Sequence, residues 1–235
     1  MRVRLKNIKK AYKGRLVLNI EELTFESGMI YAIQGSNGSG KTTLLRIIAG
    51  IEAPDSGEVV FQGDDGAGRR QIAYMPQKPY IFDMTVMDNV LLGIRNMSCD
   101  SKLALEALRK VGMESFMGQN GKKLSGGEAQ RVAAARTLVL GRKLVLLDEP
   151  ASSVDVCSMR LIEEYIREAN RKSGATVIFT THNPSQAARM ANESILIENG
   201  TIKDKGEPSR LFKTLADKEP KVYAGMRDGE DCLYA

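Results

Sequence analysis

Two stretches of this sequence carry residue types and spacings suited to phosphate chemistry. The first is "GSNGSGKTT", residues 35–43, in which Gly35, Gly38 and Gly40 lead into Lys41, Thr42 and Thr43. Glycines let successive backbone N–H groups turn inward around a phosphate, and a helix starting behind them adds partial positive charge. Ser36, Asn37 and Ser39 fill the remaining positions of a phosphate loop that carries an extra central glycine. Lys41 has the reach to meet β- and γ-phosphates, and the Thr42 hydroxyl is of the type that binds Mg²⁺. The second stretch is "LVLLDE". Four apolar residues place Asp148 at the end of a buried-type strand, where parallel sheets present ligands. Asp148 is the expected Mg²⁺ holder, through water, and Glu149 the expected general base toward an attacking water. Alone, each stretch has a plainer reading: a glycine-rich turn, and an acidic turn after a core strand. Together they specify a phosphate-loop ATPase.

A third stretch, "LSGGEAQR" at residues 124–131, separates the classes of such ATPases. Ser125 suits a helix N-cap, with Glu128 three residues on as its capping-box partner. Gly126 and Gly127, bare at a helix start, also form an anion site. One chain then holds two phosphate-binding helix starts, and its own phosphate loop needs only one.

The elements that must position these residues are legible in the pattern. "VRLKNI", "RLVLNIEELTF", "MIYAIQ", "EVVFQG" and "QIAYMPQ" read as strands, and "KTTLLRIIAG" as a helix ending at Gly50. Residues 85–139 change character: "TVMDNVLLGI", "SKLALEALRKVGM" and "EAQRVAAARTLVL" all have helical spacing. Strands return in "KLVLLD", "ATVIFTT" and "SILIENG", separated by helices such as "MRLIEEYIREANRK". The fold class is therefore α/β: a phosphate-loop core with a mostly parallel sheet, an N-terminal antiparallel β portion and an inserted all-helical subdomain. We place one ATPase domain over residues 1–216, the helical insert at about 78–140, and a short tail over 217–235 that lacks a clear period.

The whole chain narrows the setting. Its 235 residues, 43% of them hydrophobic, suffice for a core without staples. A net charge of +5 is too mild to argue for nucleic acid, and no direct nucleic-acid contact is expected. "MRVRLKNIKK" lacks the apolar core of a secretory signal, and no run approaches the roughly 18 apolar residues of a membrane span. Cys99, Cys157 and Cys232 are few and scattered, which fits a reducing compartment without disulfides or a metal cluster.

The chain resembles the ABC ATPase family, the nucleotide-binding subunits of ATP-binding-cassette transporters, over about residues 2–213. The resemblance rests on "GSNGSGKT", "MPQ", "LSGGEAQR", "LVLLDEP", "SSVD" and "TTH" in the family's order, and "LSGGEAQR" is specific to it. It implies that Ser125, Gly126, Gly127 and Glu128 act in trans, on ATP held by a second copy. It implies that Tyr12 stacks on adenine, that Gln77 contacts Mg²⁺ and the attacking water, and that His182 senses the γ-phosphate. Ser153 and Asp155 match the loop crossing the dimer interface. Val154 and Ala151 replace the family's common Leu and Thr, and Gln34 precedes the phosphate loop where a small or polar residue often stands.

The implied protein binds ATP and Mg²⁺ at the cytoplasmic face of the membrane, pairs with an integral permease, and works beside a substrate-binding protein. Residues near Tyr80, Ile81, Phe82, Met84 and Val86 are the expected docking surface, or else core. Free-standing ATPase chains are commonest in importers. The segment starting "THNPSQAARM" is similar to oxyanion importers of tungstate and molybdate type, and also to phosphate and amino-acid importers. The alternatives are an exporter ATPase, a soluble relative acting on DNA or ribosomes, and an unrelated phosphate-loop kinase or switch, which would have no use for "LSGGEAQR".

Overall fold

In the N-terminal segment Val3, Leu5 and Ile8 are wholly buried while Arg2 and Asn7 face solvent. This is the period of a half-buried strand, re-phased at Asn7, whose φ of 51° marks a bulge. The structure is a computed structural model that describes residues 1–63, 68–94, 100–211 and 213. The tail expected at 217–235, with Cys99 and Cys232, lies outside the described residues.

Strand β1 (Arg2–Tyr12) pairs antiparallel with β2 (Arg15–Phe25) and with β4 (Ser56–Gln62), giving a three-stranded sheet in the order β2-β1-β4. The second sheet is built on β3 (Ile30–Gln34), β5 (Ile72–Met75), β6 (Leu144–Leu147), β7 (Thr176–Thr181), β8 (Glu193–Glu198) and β9 (Thr201–Gly206). Its order is β5-β6-β7-β3-β8-β9, parallel except for β9. The apolar runs of β3, β6 and β7 are buried along their whole length, as strands covered on both faces must be. Strand β9 has no apolar run of its own. Asn199 and Gly200, at φ 48° and 75°, form the turn that folds it onto β8, the Asn-Gly signal of a two-residue hairpin.

Alternation along β3 feeds two cores. Tyr31 and Ile33 pack with the antiparallel sheet and with α1 (Lys41–Ala49), while Ile30 and Ala32 pack on the helical side. Helix α1 ends at Gly50, whose left-handed φ of 71° lets its N–H reach the carbonyls of Arg46 and Ile47. Between β5 and β6 lie α2 (Val86–Leu91), α3 (Asp100–Lys110) and α4 (Gly126–Leu138), which pack on one another without a strand among the described residues. Two further helices, α5 (Val156–Ser173) and α6 (Pro184–Met190), cover the sheet and are tied by wholly buried Glu163, which accepts from Arg189 at 2.9 Å. No helix among the described residues is long and apolar enough to cross a membrane. Ile81 and Val86, expected in the docking surface or the core, are buried in the core, whereas Tyr80 and Phe82 are exposed.

Candidate active site

The chain turns from β3 into α1 through the phosphate loop. Two of its glycines are demanded by their own surroundings. A Cβ on Gly35 would stand 2.1 Å from the Ile197 carbonyl oxygen, and one on Gly40 would stand 2.6 Å from Leu18 Cδ2. Gly38, at φ 79°, faces open space, and Ser36 and Asn37 are exposed beside it; Ser39 is buried against Gly35. No side chain caps the start of α1, whose N-cap is Gly40, so its leading N–H groups are left for an anion. Lys41 is buried, and its ammonium donates to the Gly35 carbonyl at 2.8 Å and the Ser36 carbonyl at 3.0 Å. Burial holds its pKa below the usual lysine value, opposed by the carboxylates of Glu149 and Asp148.

A cleft of about 330 Å³ is lined on one side by Asn37, Gly38, Gly40, Lys41, Thr42 and Thr43, and on the other by Gln77 and Glu149. A larger cleft of about 630 Å³ runs between β2 and β9 past Glu21, Glu22 and Lys205, but it has neither a helix start nor the glycines a phosphate needs. Size alone therefore does not locate the chemistry.

Asp148 and Glu149 follow β6 directly. The Asp148 carboxylate accepts from the Thr180 hydroxyl at 2.7 Å, and the same hydroxyl oxygen accepts from the Glu149 N–H at 2.9 Å. The Glu149 carboxylate accepts from Gln77 Nε2 at 2.9 Å and lies 3.6 Å from His182 Nδ1. The structure thus brings together Gln77, Glu149 and His182, which are far apart in sequence. Glu149 is buried, and its φ of 47° is left-handed, a conformation costing a non-glycine residue about 1–3 kcal/mol. Of the residues that could hold a metal, Thr42, Gln77 and Asp148 include one carboxylate, and no cluster of three or more His, Cys, Asp or Glu residues occurs among the described residues. That donor set fits Mg²⁺, which takes most of its ligands from water and phosphate.

Ser125, Gly126, Gly127 and Glu128 do not line this cleft. Their helix start is a complete capping box: Ser125 N–H donates to Glu128 Oε2 at 2.7 Å, and Glu128 N–H donates to the Ser125 hydroxyl. The backbone N–H of Ser125, and after it the hydroxyl, holds the Glu128 carboxyl below its ordinary pKa. A Cβ on Gly127 would stand 2.9 Å from the Ser153 carbonyl oxygen, but one on Gly126 would meet nothing within 4 Å. Asp155 caps α5, accepting from the Ser158 N–H and hydroxyl. Tyr12 ends β1 as an exposed residue, with its hydroxyl bonded to Glu52 and the Lys10 ammonium 5.5 Å from its ring centroid. Lys10 binds Glu52 at 3.4 Å and Asp55 at 3.1 Å beside it.

Sequence reasoning missed Thr180, Gln130 and the Lys10–Glu52–Asp55 cluster. Thr180 carries no signal of its own, since Thr176 and Thr181 stand in the same strand; only the register, which pairs Leu147 with Phe179, sets it opposite Asp148. Gln130 looked like one more polar residue of a well-made helix.

A doubly covered parallel sheet, a phosphate loop at its switch point and two carboxylates at a strand end define a phosphate-loop nucleoside triphosphatase. Residues 18–152 match the family model described as ABC transporter, and the chain belongs to that family as an ATP-hydrolysing, ATP-binding subunit. It is 40% identical over 217 residues to the tungstate uptake system ATP-binding protein TupC of Peptoclostridium acidaminophilum, covering 90% of this chain and 100% of that protein. It is 35% identical to the probable sulfate/thiosulfate import ATP-binding protein CysA of Chlorella vulgaris, over 90% of this chain and 93% of that one. A spermidine/putrescine import ATP-binding protein, PotA of Lawsonia intracellularis, is 36% identical, but the chain spans only 60% of its length. Among solved structures, the ATP-binding cassette MJ0796, a dimer in a post-hydrolysis state bound to ADP and Pi, superposes with a TM-score of 0.79 at 29% identity. The match covers 88% of this chain and 98% of that one.

Proposed function

We propose that two copies of this chain close face to face around two ATP molecules and drive an importer, with an oxyanion of tungstate or molybdate type as cargo. The observation that carries the shared site is Gly126. Its own chain imposes no steric need for a glycine there, yet it sits exposed at a capped helix start outside its own cleft. An anion brought by a second copy is the ligand that such a start fits. The cargo reading rests on the tungstate-uptake relative, which this chain matches over that protein's whole length.

Within each site the residues take separate roles. Lys41 and the N–H groups of the phosphate loop bind the β- and γ-phosphates. Tyr12 stacks on adenine. Thr42, Gln77 and Asp148 are the residues that would hold Mg²⁺, which when bound neutralises charge on the phosphates. Glu149 takes the proton of the attacking water, and His182, 3.6 Å away, reports the γ-phosphate. The partner copy's helix start, equivalent to Ser125, Gly126, Gly127 and Glu128, completes the cradle, and Ser153 and Asp155 lie at the crossing. Because ATP bridges the copies, it favours the closed state, and hydrolysis releases it.

Movement passes to an integral permease at the cytoplasmic face through the helical insert at about residues 78–140. Its exposed Tyr80 and Phe82 stack edge to face at 5.0 Å, and a binding protein would deliver the cargo. The domain runs over 1–216, with 217–235 as a tail.

The direct test is Glu149→Gln. We expect ATP binding to persist, turnover to fall by roughly 10²–10⁴-fold, and an ATP-bound dimer to accumulate in light scattering. Fast hydrolysis by that variant would remove Glu149 as the base.

A further inference from the structure

The peptide of Glu149 is held from both sides by side chains that have no assigned part in the reaction. Its N–H donates to the Thr180 hydroxyl at 2.9 Å, and its carbonyl accepts from Gln130 Nε2 at 2.7 Å. Gln130 in turn accepts from the Ser153 N–H at 3.0 Å, so one amide joins α4, the Glu149 peptide and the loop before α5. Thr180 is fully buried and Gln130 is 1% exposed, so water does not compete for these bonds. The residue they hold is one of four non-glycine residues with positive φ among the described residues. The other three, Asn7, Lys13 and Asn199, lie at a bulge or at hairpin turns, where such a conformation is routine. Glu149 instead adopts it directly after a buried parallel strand. A left-handed peptide there persists only if its surroundings over-determine it.

We propose that Thr180 and Gln130 are positioning residues that clamp Glu149 in the left-handed conformation, aiming its carboxylate between Gln77 and His182. The clamp has a second consequence. Gln130 sits on the same helix as Ser125 and Gly126, little more than one turn further along. The helix start expected to meet the partner's nucleotide is therefore joined through the Gln130 amide to the backbone of this chain's own base. A shift of α4 on closing moves the Gln130 amide and with it the aim of Glu149. This rests on the reading of Glu149 as general base.

The test compares Thr180→Val, Thr180→Ser, Gln130→Met and Glu149→Gln in the full chain. Thr180→Val keeps shape and removes the hydroxyl, Thr180→Ser keeps the hydroxyl, and Gln130→Met keeps length and removes the amide. Thermal unfolding first establishes that each variant is folded; if Thr180→Val is not, Gln130→Met and Thr180→Ser decide the matter. We expect Thr180→Val and Gln130→Met to lower kcat by roughly ten- to hundredfold, as misaimed groups do. Equilibrium binding of a fluorescent ATP analogue should stay within about twofold of wild type. Both variants should accumulate the ATP-bound dimer as Glu149→Gln does, and Thr180→Ser should turn over near the wild-type rate. Wild-type kcat in both Thr180→Val and Gln130→Met, with Glu149→Gln inactive, overturns the clamp while leaving the base in place. ATP affinity lost in step with turnover also overturns it, since that marks damage to the cleft as a whole. Fast turnover in Glu149→Gln overturns the reading beneath both.

Discussion

At the scale of single residues, the site works by burial and restraint. Lys41 is kept close to the loop it serves by two carbonyls, and Glu149 is kept in a costly conformation that aims its carboxylate. Tyr12, proposed to stack on adenine, is restrained in the same way. Its hydroxyl is committed to Glu52, itself bound by Lys10, whose ammonium also lies 5.5 Å from the centroid of the Tyr12 ring. Burial raises the Tyr12 pKa first, and its bond to Glu52 raises it further, so the phenol stays protonated and the ring neutral. Tyr12→Ala should weaken ATP binding by about 1–3 kcal/mol, the worth of one base–aromatic stack, with kcat at saturating ATP little changed. Titration calorimetry with ATP, paired with steady-state kinetics, checks both halves; unchanged affinity would remove the ring from the site. The residues themselves were legible wherever motif and chemistry coincided, as in Lys41, Asp148 and Glu149. Thr180 and Gln130 were not, because a hydroxyl in a strand and an amide in a helix declare nothing until the register and the packing bring them to the same peptide.

At the scale of elements, helix α4 carries the start proposed to meet the partner copy's nucleotide. Its capping box satisfies the N–H groups of Ser125 and Glu128 alone, so the two glycines between them owe nothing to capping. They differ in a testable way. A Cβ at Gly127 stands 2.9 Å from the Ser153 carbonyl oxygen, whereas one at Gly126 meets nothing within 4 Å. Gly126→Val should therefore fold like wild type, within about 0.5 kcal/mol in denaturant unfolding, and lose most ATP turnover. Gly127→Val should be measurably less stable. Equal stability loss in both variants would mean that Gly126 serves the fold and not a ligand. Strand positions were readable from apolar runs, since a strand covered on both faces must be apolar throughout. Strand β9 escaped notice because it has one covered neighbour and mostly polar residues, so only the Asn-Gly turn before it marks the hairpin.

At the scale of the whole molecule, the fold places one phosphate loop, and outside its cleft one glycine-bearing helix start, on the same chain. A solved relative of this family is a dimer bound to ADP and Pi. The class of the fold was readable because alternation of strands and helices, and their motifs, ran in an order that few architectures share. What the sequence could not show is how the elements meet: that Gln77 and His182, more than a hundred residues apart, converge on the Glu149 carboxylate, at 2.9 Å and 3.6 Å. The central claim is that each ATP is held by one chain's phosphate loop and the other chain's "LSGGE". Lys41→Ala disables the first half-site and Gly126→Val the second, and each variant alone should be inactive. Mixed in equal amounts, they should recover roughly a quarter of the wild-type ATPase rate, because half of randomly paired dimers are mixed and each of those holds one intact site. A mixture no more active than the two variants assayed separately would contradict the account.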